Sequence, residues 1–181
     1  LVTQVMWRGS SSAVLSPDRG TGPSFNLSFR DGFSEEDWYV SDFTLKSTFF
    51  RVGWVPANVH YHPPSISLEL NRKPAAPQPF SGAEVQKLGF YGFGRYEVVM
   101  QAAPGSGAVS SFFTHTDSYF GDPHDEIDIE FLGNNTRRLH ANVFAKGKSR
   151  GSIYIDLPFD AAEEIHLYAF DWQKDAIKWY V

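Results

Sequence analysis

The chain has 181 residues, of which 42% are hydrophobic and 20% charged, and its formal net charge is −5 at pH 7. This balance predicts a folded core and excludes wholesale disorder. Cysteine is absent and the basic residues are scattered, which excludes disulfides, zinc–thiolate sites and thiol catalysis and speaks against nucleic acid as a partner.

The N-terminal part of the chain differs in composition from the rest. Residues 9–24, GSSSAVLSPDRGTGPS, are rich in Ser, Gly and Pro. Such a composition is typical of a linker or a terminal arm. We therefore expect a flexible N-terminal arm or linker over residues 1–24 and one β-sandwich domain over residues 25–181.

Beyond residue 24, most segments are short alternating runs of apolar and polar residues, broken by Gly, Pro, Asn or Asp. This pattern is typical of a sandwich or barrel, and the Pro-rich stretches at 63–64 and 74–79 are expected in loops or at sheet edges. A single helical turn is expected at Asp160–Glu164. The fold class is therefore all-β, with two packed sheets. The predicted strands are Ser65–Asn71, Gly94–Gln101, Ala108–Thr114, Asp125–Leu132, Leu139–Phe144, Ser152–Leu157, His166–Trp172 and Ala176–Val181.

The predicted strand Asp125–Leu132 carries an unusual row of acids. Side chains alternate between the two faces of a strand, so Glu126, Asp128 and Glu130 share one face and the intervening Ile and Phe side chains share the other. Adjacent carboxylates repel one another and are poor strand formers, so the row lowers stability and needs a reason, of which function is one candidate. Neighbouring like charges raise at least one pKa. Glycoside hydrolysis uses one protonated and one ionised carboxyl group.

Other interpretations of this acidic row remain open on the pattern alone. The row also fits a solvated outer face, a Ca²⁺ site or an edge strand that uses charge to avoid aggregation. The spacing does not fix the mechanism either. Residues four apart in a strand have Cα atoms about 13 Å apart, whereas retaining enzymes hold their carboxyl groups about 5–5.5 Å apart.

A second candidate cluster is the pair His60 and His62, which share a strand face in the manner of a metal-binding pair. The sequence offers no evident third ligand, and two prolines follow at once. No metal site is predicted there or elsewhere in the chain.

The segment HDEIDIEFLGN at 124–134 resembles the DEIDxEFLG signature of glycoside hydrolase family 16, in the form typical of licheninases and xyloglucan endotransglucosylases. The resemblance covers roughly residues 29–181. It implies a jelly-roll sandwich of the concanavalin A-like type. Licheninase-like segments are SGAEVQ at 81–86, GFGRYE at 92–97, SSFFT at 110–114 and YAFDW at 168–172, whereas LHANVF at 139–144 is closer to the xyloglucan enzymes.

The resemblance implies a role for each acid of the row. Glu126 would be the nucleophile that forms the glycosyl-enzyme. Glu130 would be the acid that protonates the leaving oxygen and then the base that activates water. Asp128 would be the helper carboxylate between them.

The resemblance also implies substrate-binding residues. Glu84 and Asn142 would contact hydroxyls on the glycone side of the substrate. Trp172 and Trp179 are candidates for lining the cleft, although Trp179 fits the core equally well because it alternates with Ile177 and Val181.

Three positions depart from the licheninase pattern. His124 stands where licheninases usually have Trp, Gln86 where they often have Arg, and His115 where an aromatic residue is common. We expect these side chains to alter the substrate-binding subsites. An acidic exopolysaccharide is therefore an alternative substrate, which Arg51, Arg137 and Arg138 would meet if they lay near the cleft.

Members of the family continue beyond the WYV segment with further strands and often a structural Ca²⁺ site. We therefore expect the sandwich to lack its C-terminal strands here. No cofactor is predicted for this chain, and a structural Ca²⁺ is an option only for the complete protein.

The predicted function is a secreted, monomeric, retaining endo-β-glucanase that hydrolyses internal bonds of a β-1,3-1,4-glucan or a related polysaccharide. The alternatives are a transglucosylase acting on a xyloglucan-like polymer, an exopolysaccharide depolymerase, and a carbohydrate-binding lectin without catalysis. The expected partner is the β-glucan substrate. A membrane is not expected, because no apolar run reaches the 18 residues of a spanning helix.

Overall fold

The structure is a computed structural model, and it describes residues 4–7, 26–30, 32, 34, 36–89, 91–121 and 123–181. Most of the arm predicted over residues 1–24 therefore lies outside the described residues. Its segment Gln4–Trp7 forms a strand instead of an irregular segment.

The described residues are almost entirely β-structure, with two single-turn 3-10 helices at Pro56–Asn58 and Ser118–Phe120. Within this part of the chain, no helix has the length and apolar character needed to cross a membrane. The strands are β1 Gln4–Trp7, β2 Trp38–Val40, β3 Phe43–Thr44, β4 Val52–Trp54, β5 Val59–His62, β6 Ser65–Leu68, β7 Phe80–Gly82, β8 Val85–Lys87, β9 Gly94–Met100, β10 Val109–Thr116, β11 Asp125–Leu132, β12 Arg138–Ala145, β13 Lys148–Asp156, β14 His166–Trp172 and β15 Ile177–Tyr180.

The largest sheet has seven strands in the order β13-β12-β11-β10-β1-β8-β2. Strand β11 pairs antiparallel with β10 on one side and with β12 on the other. A second sheet has the order β15-β14-β9, and smaller sheets are formed by β3-β4-β7 and by the hairpin β5-β6. The acidic row is thus held on both sides by long hydrogen-bonded neighbours.

The core lies between the seven-stranded sheet and the β15-β14-β9 sheet. Phe131 on β11 packs edge-on against Tyr168 on β14, with ring centroids 4.9 Å apart. Phe112 on β10 lies 5.8 Å from Phe170 on β14. All four rings are buried. The apolar face of β11 therefore faces the opposite sheet, as expected for a sandwich, and the acidic face points away from it.

The long strands were well predicted by alternation. Asp125–Leu132 and His166–Trp172 are confirmed with the predicted bounds, and the other six predicted strands occur with ends shifted by one to four residues. Alternation did not reveal β2, β3, β4, β7 and β8, because strands of two or three residues are too short to show a period.

The helical turn predicted at Asp160–Glu164 is wrong. The structure has a hydrogen-bonded turn there, outside any helix. The Asp160 carboxylate accepts hydrogen bonds from the Ala162 N–H and the Thr136 hydroxyl. A side chain that satisfies a nearby backbone N–H in this way favours a turn over a helix.

Candidate active site

Strand β11 presents its three acids side by side on the face that points away from the core. Glu126 and Glu130 are partly exposed, with 21% and 27% of their side-chain surfaces accessible, whereas Asp128 between them is 3% exposed. Two carboxyl groups therefore open to solvent on either side of a buried third. Across the ladder to β12, the three acids stand opposite Phe144, Asn142 and His140, in that order.

Two histidines surround the Glu126 carboxylate. The Oε2 atom of Glu126 lies 2.5 Å from His124 Nε2 and 3.5 Å from His115 Nδ1. Burial alone would raise the pKa of Glu126, but the hydrogen bonds from both imidazoles hold it below its usual value. Burial would lower the pKa of His115, yet the carboxylates of Glu126 and Asp117 raise it. Glu126 and His115 thus favour each other's charged forms.

Glu130 meets a different histidine. Its Oε2 atom lies 2.8 Å from Nδ1 of His140, whose ring stacks on Tyr154 with centroids 4.6 Å apart. Burial raises the pKa of Glu130, the imidazole of His140 opposes that rise, and the charge of Glu126 adds to it. The pKa of Glu130 is raised and that of Glu126 is lowered, so the two glutamates differ in their affinity for a proton.

Asp128 is the most buried acid of the row. Burial, followed by the charges of Glu126 and Glu130, raises its pKa to about 10. The side chain of Asn142 hydrogen-bonds Asp128 and opposes this rise. Asn142 was predicted to contact sugar hydroxyls; the structure places it against the central acid, and its contact with a sugar stays a prediction.

The β12–β13 hairpin is attached to the residues that precede Glu126. Its turn residues Lys146 and Gly147 have φ values of 55° and 71°, as two-residue type I′ turns require. The Lys146 N–H donates to the Asp125 carboxylate at 2.5 Å, and the Gly147 N–H donates to the His124 carbonyl at 2.8 Å. The tip of this hairpin therefore holds the start of β11 in place.

Glu84, which was predicted to contact the glycone, and Gln86, which was predicted to alter a substrate-binding subsite, form a buried polar cluster with Ser41. The Ser41 hydroxyl donates to Glu84 at 2.5 Å, while the Gln86 amide donates to Ser41 at 2.9 Å and also to Glu84. Both Glu84 and Gln86 are 1% exposed. A sugar would reach them only after the covering residues moved, so their contact with substrate stays a prediction.

Trp172 and Trp179 belong to the sheet opposite β11 and pack against the core. Trp172 lies edge-on to Phe93, with ring centroids 5.0 Å apart. The indole N–H of Trp179 donates to the backbone carbonyl of Asp128 at 3.1 Å. A cleft-lining role for either ring stays a prediction. The core assignment given as the alternative for Trp179 holds, and its indole supports β11 from the inner side through this hydrogen bond.

His140 and Asp117 belong to this site and were not predicted from the sequence. His140 reaches Glu130 only through the β11–β12 register, and Asp117 reaches His115 across two residues at the end of β10, 3.4 Å away. A pairing scheme that placed LHANVF beside DEIDIEF would have indicated His140. In the His60–His62 pair, His60 contacts a carboxylate: its Nε2 atom lies 2.9 Å from Glu69 Oε2.

A β-sandwich that presents two partly exposed glutamates on one strand has the architecture and the acid pair of a glycoside hydrolase. The sequence matches the family model described as "Glycosyl hydrolases family 16" over residues 46–181. The chain belongs to glycosyl hydrolase family 16.

Relatives at the level of sequence and structure agree with this assignment. Beta-glucanases from Brevibacillus brevis and Bacillus subtilis are 39% and 40% identical to this chain over 91% and 89% of its length. A prokaryotic beta-1,3-1,4-glucanase from a mouse hindgut metagenome superimposes with a TM-score of 0.82 at 35% identity, over 86% of this chain and 72% of that one. A beta-glucanase from Bacillus licheniformis gives a TM-score of 0.76 at 35% identity, over 87% and 74%. The present chain spans 63% and 66% of the two sequence relatives.

Proposed function

We propose that the protein is a retaining endo-β-glucanase that hydrolyses a β-1,3-1,4-glucan or a related β-glucan. The observation that carries this proposal is the pair of partly exposed glutamates, Glu126 and Glu130, on the open face of one strand. The proteins to which this chain is similar include beta-glucanases and a beta-1,3-1,4-glucanase, which supports the substrate class.

The first chemical step is assigned to both glutamates. The Glu126 carboxylate attacks the anomeric carbon and forms the glycosyl-enzyme, while Glu130 gives its proton to the departing glycosidic oxygen. Glu130 suits this role because its raised pKa favours the protonated form. In the second step, Glu130 takes a proton from water, and the resulting attack on the anomeric carbon releases Glu126.

The neighbouring side chains are assigned supporting roles. Asp128 hydrogen-bonds Glu126 from its position between the two glutamates, and so orients the nucleophile. His115 and His124 are partly exposed beside Glu126 and are proposed to contact the sugar bound there. Because a polysaccharide is too large to enter a cell, we also propose that the protein is secreted. We propose separately that it acts as a monomer.

The proposal is tested on the full-length protein by following products from lichenan, laminarin, xyloglucan and succinoglycan side by side. Lichenan should release oligosaccharides whose new reducing ends are first formed as the β-anomer. A labelled oligosaccharide acceptor in the same reaction distinguishes transglycosylation, which lengthens the label, from hydrolysis. Glucan binding without new reducing ends would identify a lectin and overturn the proposal.

The role of the nucleophile is tested by Glu126→Gln and Glu126→Ala. The first should lower kcat about 10⁴-fold or more, and azide should restore activity to the second and yield an α-glycosyl azide. Glu97→Gln removes an exposed glutamate of β9 and is the matched control. Full activity in Glu126→Gln would contradict the assignment.

A further inference from the structure

Three side chains of the described region converge beside the acidic row in an arrangement that suits a metal ion. His115, His124 and Glu126 each offer one ligand atom, and these atoms all lie within 4.8 Å of one another. His115 comes from β10, His124 from the residue before β11, and Glu126 from β11 itself. Two paired strands therefore fix the positions from which the ligands extend.

The donor set is chemically specific. Two imidazole nitrogens and one carboxylate oxygen form the three-ligand set that proteins use for Zn²⁺ with an open fourth position. Zinc–ligand bonds of about 2.0–2.1 Å place tetrahedral ligand atoms roughly 3.4 Å apart. The His115–Glu126 separation of 3.5 Å already fits this spacing, whereas the His124–Glu126 separation of 2.5 Å must open when an ion replaces the hydrogen bond.

The orientation of the His115 ring also favours metal binding. His115 turns Nδ1 to Glu126, and its other ring nitrogen, Nε2, lies 3.4 Å from the Asp117 carboxylate. A carboxylate behind a histidine fixes the tautomer and leaves the opposite nitrogen free to bind a metal. Asp117 is itself held in place, because its other oxygen accepts the Tyr119 N–H at 2.9 Å.

The histidine that precedes β11 is also constrained. The ring of His124 stacks on Phe144, with centroids 4.8 Å apart and planes 21° from parallel. The three ligand side chains remain partly exposed. An ion can therefore enter from solvent, and water can take the fourth position.

We propose that His115, His124 and Glu126 form a Zn²⁺ site, supported by Asp117, and that Zn²⁺ bound there inhibits the enzyme reversibly by engaging the Glu126 carboxylate. The metal site itself does not rest on the proposed function, because it is inferred from the ligand geometry. Inhibition rests in addition on the proposed function, since it requires Glu126 to be the nucleophile.

Binding is tested on metal-stripped, full-length protein with Co²⁺ and Zn²⁺. Co²⁺ should bind one equivalent and give the intense visible absorption of a four-coordinate site, which Zn²⁺ then abolishes by displacement. His115→Phe and His124→Phe should each weaken Zn²⁺ binding at least about 100-fold in calorimetry, and Asp117→Asn about 10-fold, the size of effect of an outer carboxylate. Circular dichroism and thermal unfolding of each variant confirm that it is folded.

His62→Phe is the matched control, because His62 is an exposed histidine of the separate β5-β6 hairpin. Its Zn²⁺ affinity should equal that of the wild type. Absence of a four-coordinate Co²⁺ spectrum would overturn the proposal, and so would loss of the site in His62→Phe with retention in His115→Phe.

Inhibition is measured separately with lichenan as substrate. Zn²⁺ should lower the rate with the same dissociation constant that calorimetry gives, and EDTA should restore it. Binding without any effect on an active enzyme would overturn the inhibitory part of the proposal. An inactive protein that still gives the Co²⁺ spectrum would refute the proposed function and leave the metal site standing.

Discussion

Burial raises the pKa of Glu130, the proposed acid, and the contact with His140 opposes that rise. Glu130 also faces Asp128 and Glu126 along β11 and Ser111 across the ladder to β10. The acid must be protonated to act, so kcat/KM should fall as the pH rises through its pKa. Because His140 lowers that pKa against the effect of burial, the contact limits the alkaline range of the enzyme.

His140→Phe should therefore raise the pKa of Glu130 and move the alkaline limb of the kcat/KM profile to higher pH. The phenyl ring keeps an aromatic group against Tyr154, and Tyr154→Phe is the control that leaves the imidazole in place. A limb that stays where it is, or moves to lower pH, would show that His140 does not control the acid.

Asp128 carries a stability cost that can be measured. Its pKa of about 10 lies above the ordinary value of 3.8, so between these values the folded protein holds a proton that the unfolded chain releases. Stability must then decrease as the pH rises through this window. Asp128→Asn, which is neutral at every pH, should raise the free energy of unfolding by on the order of 2 kcal/mol at pH 8.

The measurement is thermal unfolding at pH 5 and pH 8 in buffer containing EDTA. The advantage of Asp128→Asn over wild type should grow with pH, while activity should fall. Asp156→Asn removes an exposed carboxylate of β13 and should change stability by less than about 1 kcal/mol. A lower stability of Asp128→Asn than of wild type at both pH values would show that the buried Asp128 does not destabilise the folded protein.

At this scale the sequence predicted part of the site. The period of two placed Glu126, Asp128 and Glu130 on one face, and the departures from the family pattern drew attention to His115 and His124. The contact between His140 and Glu130 could not be predicted, because it depends on the register between β11 and β12. Register is fixed by the packing of the whole sheet.

At the scale of elements, β11 ends in a close backbone approach at Gly133. The Gly133 carbonyl accepts the Gly105 N–H and the Gly133 N–H donates to the Ala108 carbonyl, both at 2.8 Å. A Cβ at Gly133 would overlap the backbone of Gly105 and touch the Ala103 carbonyl. This position therefore requires glycine for its lack of a side chain.

Gly133→Ala should destabilise the protein by about 1–3 kcal/mol, the usual range for overpacking, and should lower activity by displacing the end of β11. The control is Gly92→Ala, where an added Cβ meets open space. Chemical denaturation of both variants gives the comparison. Equal stabilities would show that the Gly105 segment yields without cost.

Long strands were predictable because seven or eight residues suffice to show alternation, as in β11 and β14. Alternation could not predict which strands pair with one another. The parallel pairing of β1 with β10 and β8 joins segments that are distant in sequence and carry no common pattern.

At the scale of the whole molecule, the two large sheets are joined directly behind the acidic row. Trp179 of β15 donates its indole N–H to the Asp128 carbonyl of β11. The sequence placed Trp179 on an alternating strand but could not decide between cleft and core. That choice depends on which face of β15 meets the other sheet.

Trp179→Phe should lower the free energy of unfolding by about 1–2 kcal/mol, because it removes the hydrogen bond and some packing. It should also lower kcat, since β11 loses a support. Trp172→Phe is the control: it makes the same reduction in ring size and leaves the Trp179–Asp128 hydrogen bond intact. Denaturant unfolding and initial rates on lichenan test the pair, and an equal loss in both variants would assign the effect to ring size alone.

The β12–β13 hairpin has a practical consequence for protein engineering. Exposed hairpin tips normally accept tags, linkers and inserted peptides. Here the backbone N–H groups of Lys146 and Gly147 at the tip donate hydrogen bonds to the Asp125 carboxylate and the His124 carbonyl. A label inserted at this tip would break these hydrogen bonds and free the start of β11, the strand of the proposed nucleophile. Fusion partners should therefore be attached elsewhere.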